Sequence, residues 1–376
     1  MLKRLSALLV VLALVAAACG DDDAATTTTV AGTQATTTTA AATTTGGGGD
    51  GGQAGEGILA QVQDRGVLRC GVSGAATAFS EQQPDGSMTG FDADYCRAVA
   101  AAVLGDANAV EFTALTAAER FTAVQTGAVD VLIRNTTWTQ SRDTDVGMDF
   151  GPTTYYDGQQ VMGRTSAGFT GQSTLQDLEG AVVCTNAGTT TEKNITEATA
   201  ALGVNITLNT FEDFNQVMDQ YLAGACDAVT TDGSGLVGRK ATQQPEGEEW
   251  VIFPPSPISK EPLGPTYLQN DSQWADVVNW VVFATIIFDE NGVTSANAAD
   301  MQANPPTGEI DRLLGGEGNL QGAMGLADEA FFNVVSQVGN YDEIYARNLN
   351  PVGLFREGSL NASFVDGGLI YAPPAR

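Results

Sequence analysis

Two distant stretches of this chain follow one plan. "GAVDVLIRN" (127–135) follows the helix-like "TAAERFTAVQTG", and "GACDAVTTD" (224–232) follows the helix-like "FEDFNQVMDQYLA". Each reads as a helix, a helix-ending glycine, an alanine, one further residue, an aspartate and then a strand. A repeated unit of this kind demands two similar α/β lobes. It also places Asn135 and Asp232 at the same offset, at the carboxyl ends of equivalent strands. In open α/β sheets, ligands bind just beyond those ends.

The first lobe opens with "VLRCGVS" (67–73), which alternates like a strand, and "DADYCRAVAAAVLG" (92–105), which has helical spacing. Leu68, Cys70 and Val72 share one strand face, and Cys96, Val99, Ala100 and Val103 share one helix face, so Cys70 can meet Cys96 where the helix packs on the sheet. A bridge there contributes ~3 to 4 kcal/mol by loop closure. The second lobe opens with the strand "GAVVCTN" (180–186) and the turn "AGTTTEKN" (187–194), which starts a helix. Cys184 and Cys226 are read as lying on two strands of this lobe and pair if those strands are neighbours. Around 150–164 and 258–270, Pro and Gly punctuate short extended runs. Two such crossings make the second lobe an insertion in the first.

The chain's beginning is read separately. Lys3 and Arg4, the apolar run that follows and "AAAC" at 16–19 form a bacterial export signal ending at a lipid-modifiable Cys19. The apolar run is shorter than the ~20 residues a membrane-spanning helix needs. Residues 20–57 are Thr, Ala, Gly and Asp with almost no large apolar side chain, which predicts a disordered tether. With Cys19 carrying lipid, the other cysteines, Cys70, Cys96, Cys184 and Cys226, form the even set expected of an exported protein. The late run "WVVFATIIF" is too short to cross a bilayer and reads as a core helix.

Composition excludes several chemistries. The formal charge is −28, which disfavours nucleic acid and anionic lipid as partners of the folded part. There is no histidine, so Ser-His-Asp and Cys-His nucleophiles and histidine metal sites are ruled out. No catalytic constellation, metal site or cofactor motif is assigned.

The polar stretch "RNTTWTQSRDTD" (134–145) follows the first repeat's strand. Thr139 is placed to cap a helix with Arg142 in its first turn, where a cation opposes the helix dipole. Either Arg142 pairs locally with Asp143 or Asp145, or an anion shares the site, gripped by the guanidinium and the helix N–H groups. Across the gap, Thr189 and Thr190 offer hydroxyls at a second helix start, and Asp232 offers a carboxylate. One lobe thus suits a carboxylate and the other an ammonium, the charge pair of an α-amino acid.

"VDVLIRNTTWTQSRD", "GTTTE", "DAVTTD", "GNYDEIYARNLNP" and "GGLIYAPPAR" together resemble the general L-amino-acid-binding proteins of bacterial ABC importers, over about Arg65 to Arg376. The resemblance implies a two-lobed periplasmic-binding-protein-like α/β fold with a hinge of two crossing segments. Lobe 1 would span 58–157 and 263–376, and lobe 2 158–262. It implies that Arg142, Thr137 and Thr190 hold the ligand carboxylate, that Asp232 and the Asn135 carbonyl hold its ammonium, and that Thr189 adds a contact. It further implies a monomer at the outer face of the cell membrane, tethered only by its lipid, that delivers an L-amino acid to a permease with a cytoplasmic ATPase.

The aromatics that flank the ligand side chain in basic-amino-acid binders do not map cleanly onto this sequence; Ala76 and Ala117 fall near the expected places, which suggests a broad pocket, with Trp138 and Tyr155 as candidate walls. Two rival readings share the fold. One is an enzyme of the cyclohexadienyl dehydratase type, for which Glu192 is the available acid or base, although its place at a helix start suits capping better. The other is an extracellular amino-acid sensor.

Overall fold

In the computed structural model of this protein, residues 57–376 are described; the export signal, Cys19 and nearly all of the tether lie outside them. Two five-stranded sheets dominate. In the first the order is Val110–Ala114, Leu68–Val72, Val131–Leu132, Thr266–Leu268 and Met148–Phe150. In the second it is Thr207–Phe211, Val182–Asn186, Ala228–Asp232, Gln159–Arg164 and Trp250–Phe253. The first three strands of each sheet run parallel and the fourth antiparallel, so the two sheets have one topology. The repeat therefore occupies equivalent places: Val131–Leu132 pairs beside Leu68–Val72 as Ala228–Asp232 pairs beside Val182–Asn186.

The antiparallel strand in each sheet follows directly from a crossing between lobes. Tyr155–Asp157 and Glu261–Leu263 pair antiparallel, with Asp157 opposite Glu261 and Tyr155 opposite Leu263. Gln159–Arg164 continues the first crossing into the second sheet, and Thr266–Leu268 continues the second crossing back into the first. This two-stranded ribbon is the hinge of a periplasmic-binding-protein-like α/β fold.

Burial explains the local choices. Leu68, Cys70 and Val72 are buried, and so is nearly all of the helix Phe91–Leu104, whose Ala-rich face lies close on the sheet. Cys70 is bonded to Cys96 at a Cα separation of 6.0 Å. Cys184 is bonded to Cys226, which stands in the turn before Ala228–Asp232 rather than on the strand itself. The late apolar run lies in the helix Ser272–Glu290, whose Trp274, Val278, Val281 and Phe288 are core. Among the described residues no helix is long and apolar enough to cross a membrane.

Candidate functional site

Three segments converge between the sheets. The first is the loop after Val131–Leu132. Asn135 has φ +35°, an uncommon conformation for a residue with a side chain. Its N–H donates to the buried Asp92 carboxylate at 2.8 Å, from the first turn of the helix Phe91–Leu104. Trp138 N–H donates to Pro262 O at 2.9 Å and Thr137 bridges to Leu263, so this loop is laced to the crossing ribbon.

The second segment is the start of the helix Thr190–Leu202. Thr189 accepts from the Glu192 N–H at 3.1 Å and donates to Asn186 O at 2.8 Å. Glu192 in turn accepts from the Gly188 N–H at 2.7 Å, the capping role expected of it. Thr190 Oγ1 lies 3.3 Å from Thr137 Oγ1 in the opposite lobe and donates to Glu261 Oε2 at 2.9 Å. The third segment is the end of Ala228–Asp232, where Asp232 is buried at 6 % exposure.

These segments enclose a cleft of about 290 Å³ whose lining includes Asn135, Thr137, Thr189, Thr190 and Asp232. Five of the residues singled out from sequence therefore share one cavity. Arg142 does not line it. Thr139 caps its helix as expected, and Arg142 forms no ion pair with Asp143 or Asp145; its guanidinium is buried behind the wall and donates to Thr137 O at 2.8 Å. Trp138 and Tyr155 do not line the cleft either. Trp138 is 44 % exposed and stacks on Phe150, while Tyr155 is locked among Phe79, Phe91 and Tyr345 in the core. The apolar wall comes instead from Phe79 and Phe214, with Ala76 beside them; Ala117 is buried outside the lining.

The cleft also holds Arg120, which the sequence reading assigned only to a helix. Its side chain is 3 % exposed and its Nε has no hydrogen-bond partner in the protein. Burial, with Arg134 and Arg142 close by, pushes its pKa well below the usual guanidinium value, while Asp232 opposes that shift. Asp232 mirrors it: its Oδ1 is also unpartnered, and burial, Asp157 and Glu261 push its carboxyl well up, against Arg142 and Arg120. Arg120 lies over the Phe121 ring at 4.9 Å, but a buried cation and a buried anion without hydrogen-bond partners are costly unless a further group meets them. The side-chain oxygens of Asn135 and Thr77, both on the same lining, are unpartnered as well.

The segment at residues 68–283 matches the family model of bacterial extracellular solute-binding proteins, family 3. The chain belongs to that family. It is 43 % identical over 323 residues to the general L-amino acid-binding periplasmic protein AapJ of Rhizobium johnstonii, covering 85 % of this chain and 92 % of AapJ. It is 42 % identical over 328 residues to the glutamate/glutamine/aspartate/asparagine-binding protein BztA of Rhodobacter capsulatus, covering 86 % and 95 %. Among solved structures it is similar to an ABC transporter periplasmic binding protein from Brucella ovis with glutathione bound, at a TM-score of 0.80 and 43 % identity, covering 85 % of this chain and 99 % of that one. These relatives are binding proteins, not enzymes.

Within this family 3 protein, sequence reasoning passed over not only the wall residues Phe79 and Phe214 but also Arg120 in the lining and, behind it, Asp92 and Glu261, which hold Asn135 and Thr190. Asp92 lay inside a strong helical pattern and Arg120 inside the helix-like stretch at 116–127, directly after the reciprocal Thr116–Glu119 hydrogen bonds, so helix signals accounted for both. Glu261 Oε1 accepts from nearby Ser259 at 2.6 Å and from Asn194 at 2.7 Å, and only the crossing brings Asn194 to it.

Proposed function

We propose that this protein captures L-amino acids in the cleft, closes on them through its hinge and delivers them to the permease of an ABC importer. One observation carries the reading: Asp232, without a hydrogen-bond partner on one side of the cavity, and Thr137, backed by the Arg142 guanidinium, on the other suit the two charges of a zwitterion, and Arg120 stands in the lining as a further cation. In this reading Asp232 and Asn135 take the ammonium. Thr137 and Thr190 meet the α-carboxylate in the lining, with Thr189 beside them, and Arg142 supplies its charge from behind Thr137. Arg120 is left to meet a polar or acidic ligand side chain, in keeping with what BztA is named for.

The moving bodies are lobe 1, at 58–157 and 263–376, and lobe 2, at 158–262, turning about the crossing ribbon. Cys19 anchors the monomer by lipid to the outer face of the membrane.

The test is thermal unfolding of the tether-free protein, stripped of ligand, against each of the twenty L-amino acids. A ligand at about 100 times its Kd adds ~2.7 kcal/mol. Asp232→Ala and Arg142→Ala are each expected to abolish that gain while leaving the unliganded protein folded. A gain retained in either variant would sink the role given to that charge, and no gain with any amino acid would sink the reading itself.

A further inference from the structure

The C-terminal segment carries a surface that the cleft does not use. Of the nine exposed large apolar side chains among the described residues, six fall within 355–371: Phe355, Leu360, Phe364, Val365, Leu369 and Tyr371. Val365 is 71 % exposed, and the rings of Phe364 and Tyr371 pack edge to face at 5.0 Å. The loop is ordered from within: Leu369 N–H donates to Leu360 O at 2.8 Å, and Phe364 N–H to Ile370 O at 3.0 Å. A concentrated, well-held apolar patch of this kind marks an interaction site.

Three observations bear on what it would dock. The stretch matching the family model stops at residue 283, so the patch lies outside the part of the chain that carries the cleft. The patch is acidic at its edge: Glu357 and Asp366 are exposed, and the one cation of 353–371, Arg356, is held by Asp289 at 2.7 Å and Asp342 at 3.2 Å. On a chain of charge −28, that edge repels anionic lipid and a second copy alike and favours a basic face. Finally, the segment is tied to the hinge. Asn361 accepts from Tyr156 N–H at 2.7 Å and donates to Tyr156 O at 3.1 Å, and Tyr341 Oη donates to Thr154 O at 2.8 Å. The turn Asn350–Val352 reaches the second lobe's helix Gly233–Gln243, which begins immediately after Asp232. A partner seated here is coupled to the ribbon about which the lobes turn.

We propose that the patch docks a basic-rimmed apolar face of the importer's membrane component and reports closure to it; this rests on the importer reading above. The experiment uses the full chain with the permease and ATPase reconstituted in lipid nanodiscs, following ATP hydrolysis against binding-protein concentration with saturating amino acid. Phe364→Ser/Val365→Ser/Tyr371→Ser should keep ligand affinity and unfolding temperature but raise the half-maximal concentration at least tenfold. Leu202→Ser, a control as exposed as Phe364 and on a second-lobe helix, should leave it unchanged. An unchanged midpoint for the triple variant overturns the proposal. So does a patch-dependent dimer in light scattering, or patch-dependent binding to anionic vesicles. If the unaltered protein binds amino acids but gives no stimulation, the importer reading falls and the docking proposal with it.

Discussion

At Asn135 a single residue is held by one neighbour. Its left-handed backbone is unfavourable for a side-chain-bearing residue, and the Asp92 carboxylate offsets this by accepting its N–H. Burial pushes the Asp92 carboxyl up to about 7, against the lowering effects of that hydrogen bond and of Arg134. Because this pKa is raised on folding, the folded state holds the proton more tightly than the unfolded chain does. Its effect is therefore a loss of stability as pH rises from about 4 towards about 7. Asp157, raised to about 6 mainly by burial, acts with the same sign, as does the raised Asp232. Denaturant midpoints of the ligand-free protein are thus expected to fall from pH 5 to pH 8. Asp92→Asn, which still accepts from the Asn135 N–H, should flatten that fall, and equal slopes for the two proteins would show that Asp92 does not titrate in this range.

The element that positions Asp92 is the helix Phe91–Leu104, and its start depends on Gly90. Gly90 has φ +124°, and a Cβ there would lie 2.3 Å from the Phe79 carbonyl oxygen. No rotamer relieves a clash with backbone. Gly90→Ala is expected to destabilise the protein by at least ~2 kcal/mol and to weaken ligand binding through displacement of Asp92, read by calorimetric unfolding and titration. Loss of stability with unaltered affinity would disconnect this helix from the site. The rest of the same helix is secured differently, its middle by the Cys70–Cys96 bond and its far part by alanines small enough to admit the sheet.

Across the molecule, the lobes touch at the cleft edge as well as at the hinge. Arg239, on the second lobe's helix Gly233–Gln243, is buried; its guanidinium donates to Ala75 O of the first lobe and to Asn215 Oδ1 at 2.8 Å. Thr137 and Thr190 make a second such contact. Hydrogen bonds to a charged group are worth more than neutral ones, and this one exists only while the lobes meet. Arg239→Met is expected to weaken ligand binding about tenfold, ~1.4 kcal/mol, mainly through faster release in stopped-flow measurements. Equal release rates would show that the Arg239 contact does not hold the bound ligand.

The sequence by itself determined what is local or repeated. Apolar alternation and helical spacing marked the strands and helices, and the Gly-Ala-x-Asp repeat placed Asn135 and Asp232 at equivalent strand ends. A parallel sheet turns such offsets directly into a shared edge, which is why both residues line the cleft. The tertiary structure alone decided which charges face the ligand space. Arg142 is buried behind Thr137 while Arg120 is in the lining, and Trp138 packs on Phe150 while Phe79 and Phe214 form the wall. Glu261 meets Thr190 only because two strands cross between lobes. Contacts between residues far apart in sequence depend on how whole lobes pack, and neither composition nor periodicity encodes that distance.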